Sequence, residues 1–323
     1  MIAVLHHARF LFMNALESLK TLSTVVADTG SFESMRAYHP QDATTNPTLI
    51  IRALDQPQYA GLLARVTSET KGKPLADRTR AVIVAFGQEI LSIIPGRVST
   101  EVDARLSFDT EGTITEARKI IRAYADLGIP SDRILIKIAA TWEGICAAQV
   151  LEKENIHCNL TLIFSLVQAA ACADVGVTLI SPFVGRISDW HKKNGSSWQT
   201  AHEDPGVLSV QRIYSYLKFH QFETEVMGAS FRSIEQVMAL AGCDLLTVSP
   251  DLLEQLKSLQ LQAGLTRQLD AKALVVGEAA ARLKNEEPLF RFALNEDVMA
   301  SDKLAEGIRL FVADGRKLDA RLV

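Results

Sequence analysis

The chain has 323 residues, 48% hydrophobic and 22% charged. That composition builds one large domain or two ordinary ones and argues against disorder. A formal net charge of −4 argues against nucleic-acid binding, which needs a basic excess to meet phosphate. The four cysteines, Cys146, Cys158, Cys172 and Cys243, show no C-x-x-C spacing, which speaks against a zinc or disulfide scaffold and suits the cytoplasm. No apolar run reaches the roughly 18 residues of a membrane span, so no membrane contact is expected. Residues 1–12 (MIAVLHHARFLF) lack the basic start and small-residue cleavage site of a secretory signal.

In chain order, short runs rich in apolar and β-branched residues occur at 24–28 (TVVAD), 42–46 (DATTN), 98–103 (VSTEVD) and 134–139 (ILIKIA). Four more follow at 158–163 (CNLTLI), 178–183 (TLISPF), 224–230 (TEVMGAS) and 245–249 (LLTVS). Helical periodicity separates them. In 77–94, Ala81, Val84, Ala85, Ile90 and Ile94 recur at steps of three and four, and in 115–127 Ala117, Ile120, Ile121, Tyr124 and Leu127 do the same. Eight strand–helix units predict an α/β fold with a parallel sheet closed into a (β/α)8 TIM barrel. A doubly wound sheet competes, but neither G-x-G-x-x-G nor G-x-x-x-x-G-K-[ST] is present, so no nucleotide cofactor is expected. After Ser249 the pattern stays helical, as in 302–312, and predicts additional C-terminal helices covering one end or side of the barrel.

Lys137 is the only lysine in these eight runs. Strand alternation puts Ile134, Ile136 and Ile138 toward the helices and Leu135, Lys137 and Ala139 toward the barrel interior. An isolated ammonium is costly there, which favours the neutral amine, a nucleophile for carbonyl carbon. Taken alone, the residue fits equally well a lysine paired with a strand carboxylate and chemically idle. The same alternation groups Thr24, Val26 and Asp28; Ser99, Glu101 and Asp103; Asn159, Thr161 and Ile163; Leu179, Ser181 and Phe183; and Val226, Gly228 and Ser230. Polar residues from so many strands, mostly near C-terminal ends, suit a barrel active site better than a packing layer. Asp28 and Glu101 can divide acid and base roles, or either can simply neutralise Lys137. Arg186 and Arg232 follow neighbouring strands at equivalent offsets. With the Ser230 hydroxyl they form a candidate phosphate site, although a single loop arginine is most often a surface residue. The histidines show no metal-ligand spacing, so no metal is expected.

The motifs VVADTG (25–30), PQDATTNPT (40–48), PGRVSTEVDARLS (95–107) and RILIKIAATWEG (133–144) occur in order, followed by CNLTLIFS (158–165), ISPFVGRISDW (180–190), VMGASFR (226–232) and KLAEGIR (303–309). In these stretches the chain resembles the longer transaldolases of the class I Schiff-base aldolase group. The resemblance implies a single barrel domain over 13–323 and leaves 1–12 as an extension without a counterpart. It implies Lys137 as the Schiff-base residue, Glu101 acting through a water shared with Thr161, and Asp28 handling the substrate hydroxyl proton. Asn46, Asn159 and Ser181 would bind the dihydroxyacetone portion, and Arg186, Ser230 and Arg232 the sugar phosphate. Phe183 stands where related fructose 6-phosphate aldolases tend to carry tyrosine. The implied enzyme is a cofactor-free transferase of the pentose phosphate pathway. It would move a dihydroxyacetone unit from sedoheptulose 7-phosphate to glyceraldehyde 3-phosphate, giving erythrose 4-phosphate and fructose 6-phosphate. Its partners are small sugar phosphates and a second copy in a homodimer. A fructose 6-phosphate aldolase-like enzyme releasing free dihydroxyacetone is the alternative. A catalytically silent sugar-phosphate-binding barrel is more distant, since Lys137, Glu101 and Asp28 are all present.

Overall fold

The computed structural model describes residues 13–272 and 281–322, so the 1–12 extension lies outside the described residues. Eight strands form a closed barrel. They are β1 (Thr24–Asp28), β2 (Asp42–Thr44), β3 (Val98–Glu101), β4 (Ile134–Ala139), β5 (Cys158–Ile163), β6 (Leu179–Pro182), β7 (Glu225–Gly228) and β8 (Leu245–Val248). Each pairs in parallel with its neighbour in chain order, and β8 closes onto β1 with Val26 opposite Thr247. Helices lie between strands, and the C-terminal helices Glu287–Glu296 and Val298–Ala320 follow. This is the (β/α)8 barrel with additional C-terminal helices expected from the alternating pattern. None of the described helices is long and apolar enough to cross a membrane.

Several strands end earlier than their sequence runs because a polar residue turns to capping. The Asn46 side chain accepts the Leu49 N–H at the start of helix Pro47–Leu54, so β2 stops at Thr44. Asp103 accepts the Arg105 N–H, so β3 stops at Glu101 and Asp103 does not share its inner face. On β4 both faces are buried. Ile134, Ile136 and Ile138 join the main core between sheet and helices, as a continuous apolar strand requires.

Inside the barrel a separate apolar layer consists of Val26, Leu135, Leu179, Met227 and Leu245. It corrects two expectations. On β7, Met227 points inward while Val226 packs into the outer core, one residue out of step with the expected set Val226, Gly228 and Ser230. Both residues are apolar, so polarity marks no inner face. On β5, the register shifts between Leu160 and Ile163, and Leu162 takes a left-handed φ of 57°, sterically costly without glycine. Alternation breaks there, and Ile163 joins the outer core instead of facing inward with Asn159 and Thr161.

Helix Val298–Ala320 lies across the C-terminal end of the strands. Its Leu304, Ile308 and Phe311 cluster with Leu162, Phe164 and Phe183. The approach is close at Gly307, where a Cβ would meet Leu162 Cδ2 at 2.7 Å.

Candidate active site

Parallel register places Glu101 of β3 opposite Lys137 of β4, and Lys137 opposite Asn159 of β5. All three therefore share the inner face at one level. Lys137 is 5% exposed and Glu101 6%. Lys137 Nζ lies 3.2 Å from Glu101 Oε2 and donates a long 3.5 Å hydrogen bond to the Thr45 carbonyl. The ammonium is thus paired rather than isolated. Burial pushes the Glu101 carboxyl above its ordinary value, opposed by the Lys137 charge and hydrogen bond.

Asp28 ends β1, where it accepts a 3.2 Å hydrogen bond from Thr44 Oγ1. Thr44 Oγ1 also lies 3.0 Å from Thr247 Oγ1 across the barrel closure. Burial raises the Asp28 carboxyl, against the pull of Lys137, the Thr44 hydrogen bond and Arg186. Both carboxyl groups are therefore shifted toward the range where proton transfer near neutral pH is efficient.

Beside Lys137 a polar chain links β3, β5 and β6. Asn159 Nδ2 donates to Ser99 Oγ at 2.9 Å, and Ser181 Oγ donates to Asn159 Oδ1 at 2.6 Å. Thr161 is fully buried, and its Oγ1 has no hydrogen-bond partner among the described residues. That leaves it available to a ligand or a water.

Arg186 opens helix Gly185–Lys193, and its guanidinium lies 4.9 Å from the Phe183 ring centroid and 5.6 Å from that of Phe311. Burial, followed by the nearby Arg232 charge, pulls its pKa down from the ordinary guanidinium value. Two cations close enough to oppose each other favour an anion between them. Arg232 is held by Asp189, with Nη2 at 2.8 Å, and its Nη1 donates to Ser230 Oγ at 3.3 Å. Ser230 sits in a left-handed turn with φ 62°.

Nine of the eleven site residues expected from sequence line one cavity of about 200 Å³. They are Asp28, Asn46, Lys137, Thr161, Ser181, Phe183, Arg186, Ser230 and Arg232. The other two lie against it, Glu101 through Lys137 and Asn159 through Ser181. Thr44, Thr247 and Phe311 also line the cavity and are not among the residues expected from sequence. The alternation that located Lys137, extended to β2 and β8, would have found both threonines. Phe311, whose ring centroid is 5.6 Å from Lys137 Nζ, comes from a helix more than 170 positions downstream and carries no local signal.

A family model described as transaldolase/fructose-6-phosphate aldolase matches residues 25–322. The chain is also 55% identical over 309 residues to a transaldolase of Methylibium petroleiphilum, covering 94% of this chain and 97% of that protein. A barrel of this topology with a match over nearly all of its length leaves one assignment: the chain belongs to the transaldolase/fructose-6-phosphate aldolase family of enzymes.

Proposed function

We propose that the protein transfers a dihydroxyacetone unit between sugar phosphates through a Schiff base on Lys137. The donor is sedoheptulose 7-phosphate or fructose 6-phosphate and the acceptor an aldose phosphate such as glyceraldehyde 3-phosphate, as in the pentose phosphate pathway. The observation that carries this reading is the Lys137–Glu101 pair at 3.2 Å, whose lysine lines one cavity with Asp28 and two arginines.

The Lys137 amine attacks the donor C2 carbonyl, and Glu101, with a water shared by Thr161, moves protons as the carbinolamine loses water to an iminium. Asp28 takes the C4 hydroxyl proton, the C3–C4 bond breaks, and its electron pair moves into the iminium as an enamine. The aldose phosphate leaves, and the enamine attacks the acceptor aldehyde in reverse order. Asn46, Asn159 and Ser181 hold the hydroxyls of the three-carbon unit, while Arg186, Ser230 and Arg232 hold the phosphate. Transfer demands that water not protonate the enamine first, and Phe183 and Phe311 supply apolar walls without a proton to give. The electron sink is the protonated imine, so the chemistry calls for no metal or organic cofactor.

Four free cysteines support a reducing cytoplasm. Antiparallel pairing of Met13–Asn14 with Gln260–Leu261, which ties the start of the barrel to a segment beyond β8, supports one domain over 13–323. The homodimer rests on the family resemblance.

Borohydride reduction in the presence of fructose 6-phosphate tests the mechanism. Mass spectrometry should find the three-carbon adduct on Lys137, and an unmodified Lys137 in folded protein would sink it. Release of free dihydroxyacetone at the transfer rate without an acceptor would favour the aldolase reading instead.

A further inference from the structure

Behind the arginines lies a buried polar network that the chemistry does not use. Gln236, on helix Ile234–Met238 just after β7, accepts the Arg232 N–H on Oε1 at 2.8 Å. Its Nε2 donates to Asp204 Oδ2 at 2.8 Å and to Ser188 Oγ at 3.2 Å. Ser188 Oγ donates to Asp204 Oδ1 at 2.5 Å, and the same oxygen accepts the Gly206 N–H at 2.8 Å. Gln236, Ser188 and Asp204 are 5%, 1% and 2% exposed. Asp204 has no ion-pair partner among the described residues; it caps the start of helix Pro205–Phe219, and these neutral donors together with that helix N-terminus offset its desolvation. A well-packed apolar cluster would hold the helices together at less cost. What such a cluster could not supply is directional hold on a backbone amide.

The network joins the two segments that carry the arginines. Ser188 lies on the Arg186 helix, two residues after Arg186, and Gln236 grips the backbone of Arg232 itself. The segments also touch directly, since the Gly185 N–H donates to the Ser230 carbonyl at 2.8 Å. A Cβ on Gly185 would meet that oxygen at 2.3 Å, and one on Gly206 would meet the Val184 carbonyl at 2.1 Å. Glycines at both places let the two loops and the Asp204 turn close on one another. We propose that Gln236, backed by Ser188 and Asp204, is a positioning residue that sets the separation of the Arg186 and Arg232 guanidinium groups and so selects substrates ending in a phosphate monoester. This rests on the phosphate reading given above.

Gln236→Leu removes the acceptor for the Arg232 N–H together with both donors. Ser188→Ala is milder and leaves the Gln236–Asp204 bond. Three quantities separate positioning from general damage: the KM for fructose 6-phosphate, the inhibition constant of inorganic phosphate, and borohydride trapping of Lys137 by unphosphorylated dihydroxyacetone. Gln236→Leu should raise the first two about tenfold, equivalent to about 1.4 kcal/mol, and Ser188→Ala about threefold. Half-saturation of dihydroxyacetone trapping should move less than twofold in both. Unchanged phosphate constants in the folded variants, or equal changes in all three quantities, would overturn the proposal. Should Gln236→Leu not fold, Ser188→Ala decides by the same criterion. Arg232→Ala is the control. Phosphate selectivity lost there but kept in Gln236→Leu and Ser188→Ala defeats the positioning role alone, whereas no loss in Arg232→Ala defeats the phosphate reading and this inference with it.

Discussion

The two levels of the barrel interior are built from the same strands, two residues apart. At the lower level Val26, Leu135, Leu179 and Leu245 fill the barrel with hydrocarbon. One step of alternation further along the same faces stand Asp28, Lys137, Ser181 and Thr247, all on the candidate active-site cavity. The N-terminal end below is closed by Arg97, which pairs with Asp42 at 3.1 Å and Glu225 at 2.9 Å. The apolar layer fills the barrel beneath the polar residues, and the cavity above it is lined by Asp28, Lys137, Ser181 and Thr247. Along each of these strands the same backbone geometry yields apolar packing at one residue and a polar cavity wall two residues later.

Substitutions at matched positions can break this comparison, beginning with the largest effect. Lys137→Ala should lower turnover by about 10⁴-fold or more, because the proposed mechanism forms its iminium on this amine. It should leave the protein folded, and assay beside circular dichroism checks both.

Asp28→Asn comes next, with a loss of about 10²–10⁴-fold as expected for a general base. Its stability should move the other way. Burial raises the folded carboxyl above its unfolded value, so at neutral pH the ionised group costs the native state free energy. The wild type recovers that cost as pH falls through the raised folded pKa, while asparagine does not titrate. Asp28→Asn should therefore be the more stable protein at pH 7, and its advantage should shrink on acidification, as urea unfolding at several pH values would show. For the same reason, wild-type turnover should fall on the acid side at a pH above the ordinary aspartate range. An acid limb at or below that range would remove Asp28 as the base.

One level down, Leu135→Ala reverses the pattern. Leu135 is 2% exposed in the apolar layer, so truncation should cost about 2–5 kcal/mol of stability. Turnover of the folded fraction should change far less than in the two upper-level variants. A loss of turnover as large as that of Asp28→Asn, with the protein still folded, would show that the levels are not separable.

Arg232→Ala should have the smallest effect. Its side chain is 44% exposed and already tied to Asp189. The KM for phosphorylated donors should rise about tenfold, with little change for an unphosphorylated donor. Equal effects on both would remove Arg232 from the phosphate site.

Much of this organisation was legible in the chain. ILIKIA carries one polar inward residue and CNLTLI carries two, so alternation alone put Lys137, Asn159 and Thr161 on inward faces. The eight units and their order followed from the same runs. Alternation failed where polarity gave no contrast, as at Val226 and Met227, and where backbone geometry broke the period, as at Leu162. The strands end before Asn46 and Asp103 because both residues cap the backbone that follows, and a capping residue resembles a strand residue in the sequence.

By itself, the sequence determined which residues face inward on most strands and which polar ones line the cavity, because side-chain direction in a strand is local and periodic. Only the tertiary structure decided that Glu101 pairs with Lys137 at 3.2 Å, that Phe311 walls the cavity, and that Gln236 and Asp204 lie behind Arg232. Barrel closure and the return of the final helix bring together residues far apart in the chain, and no local period encodes those distances.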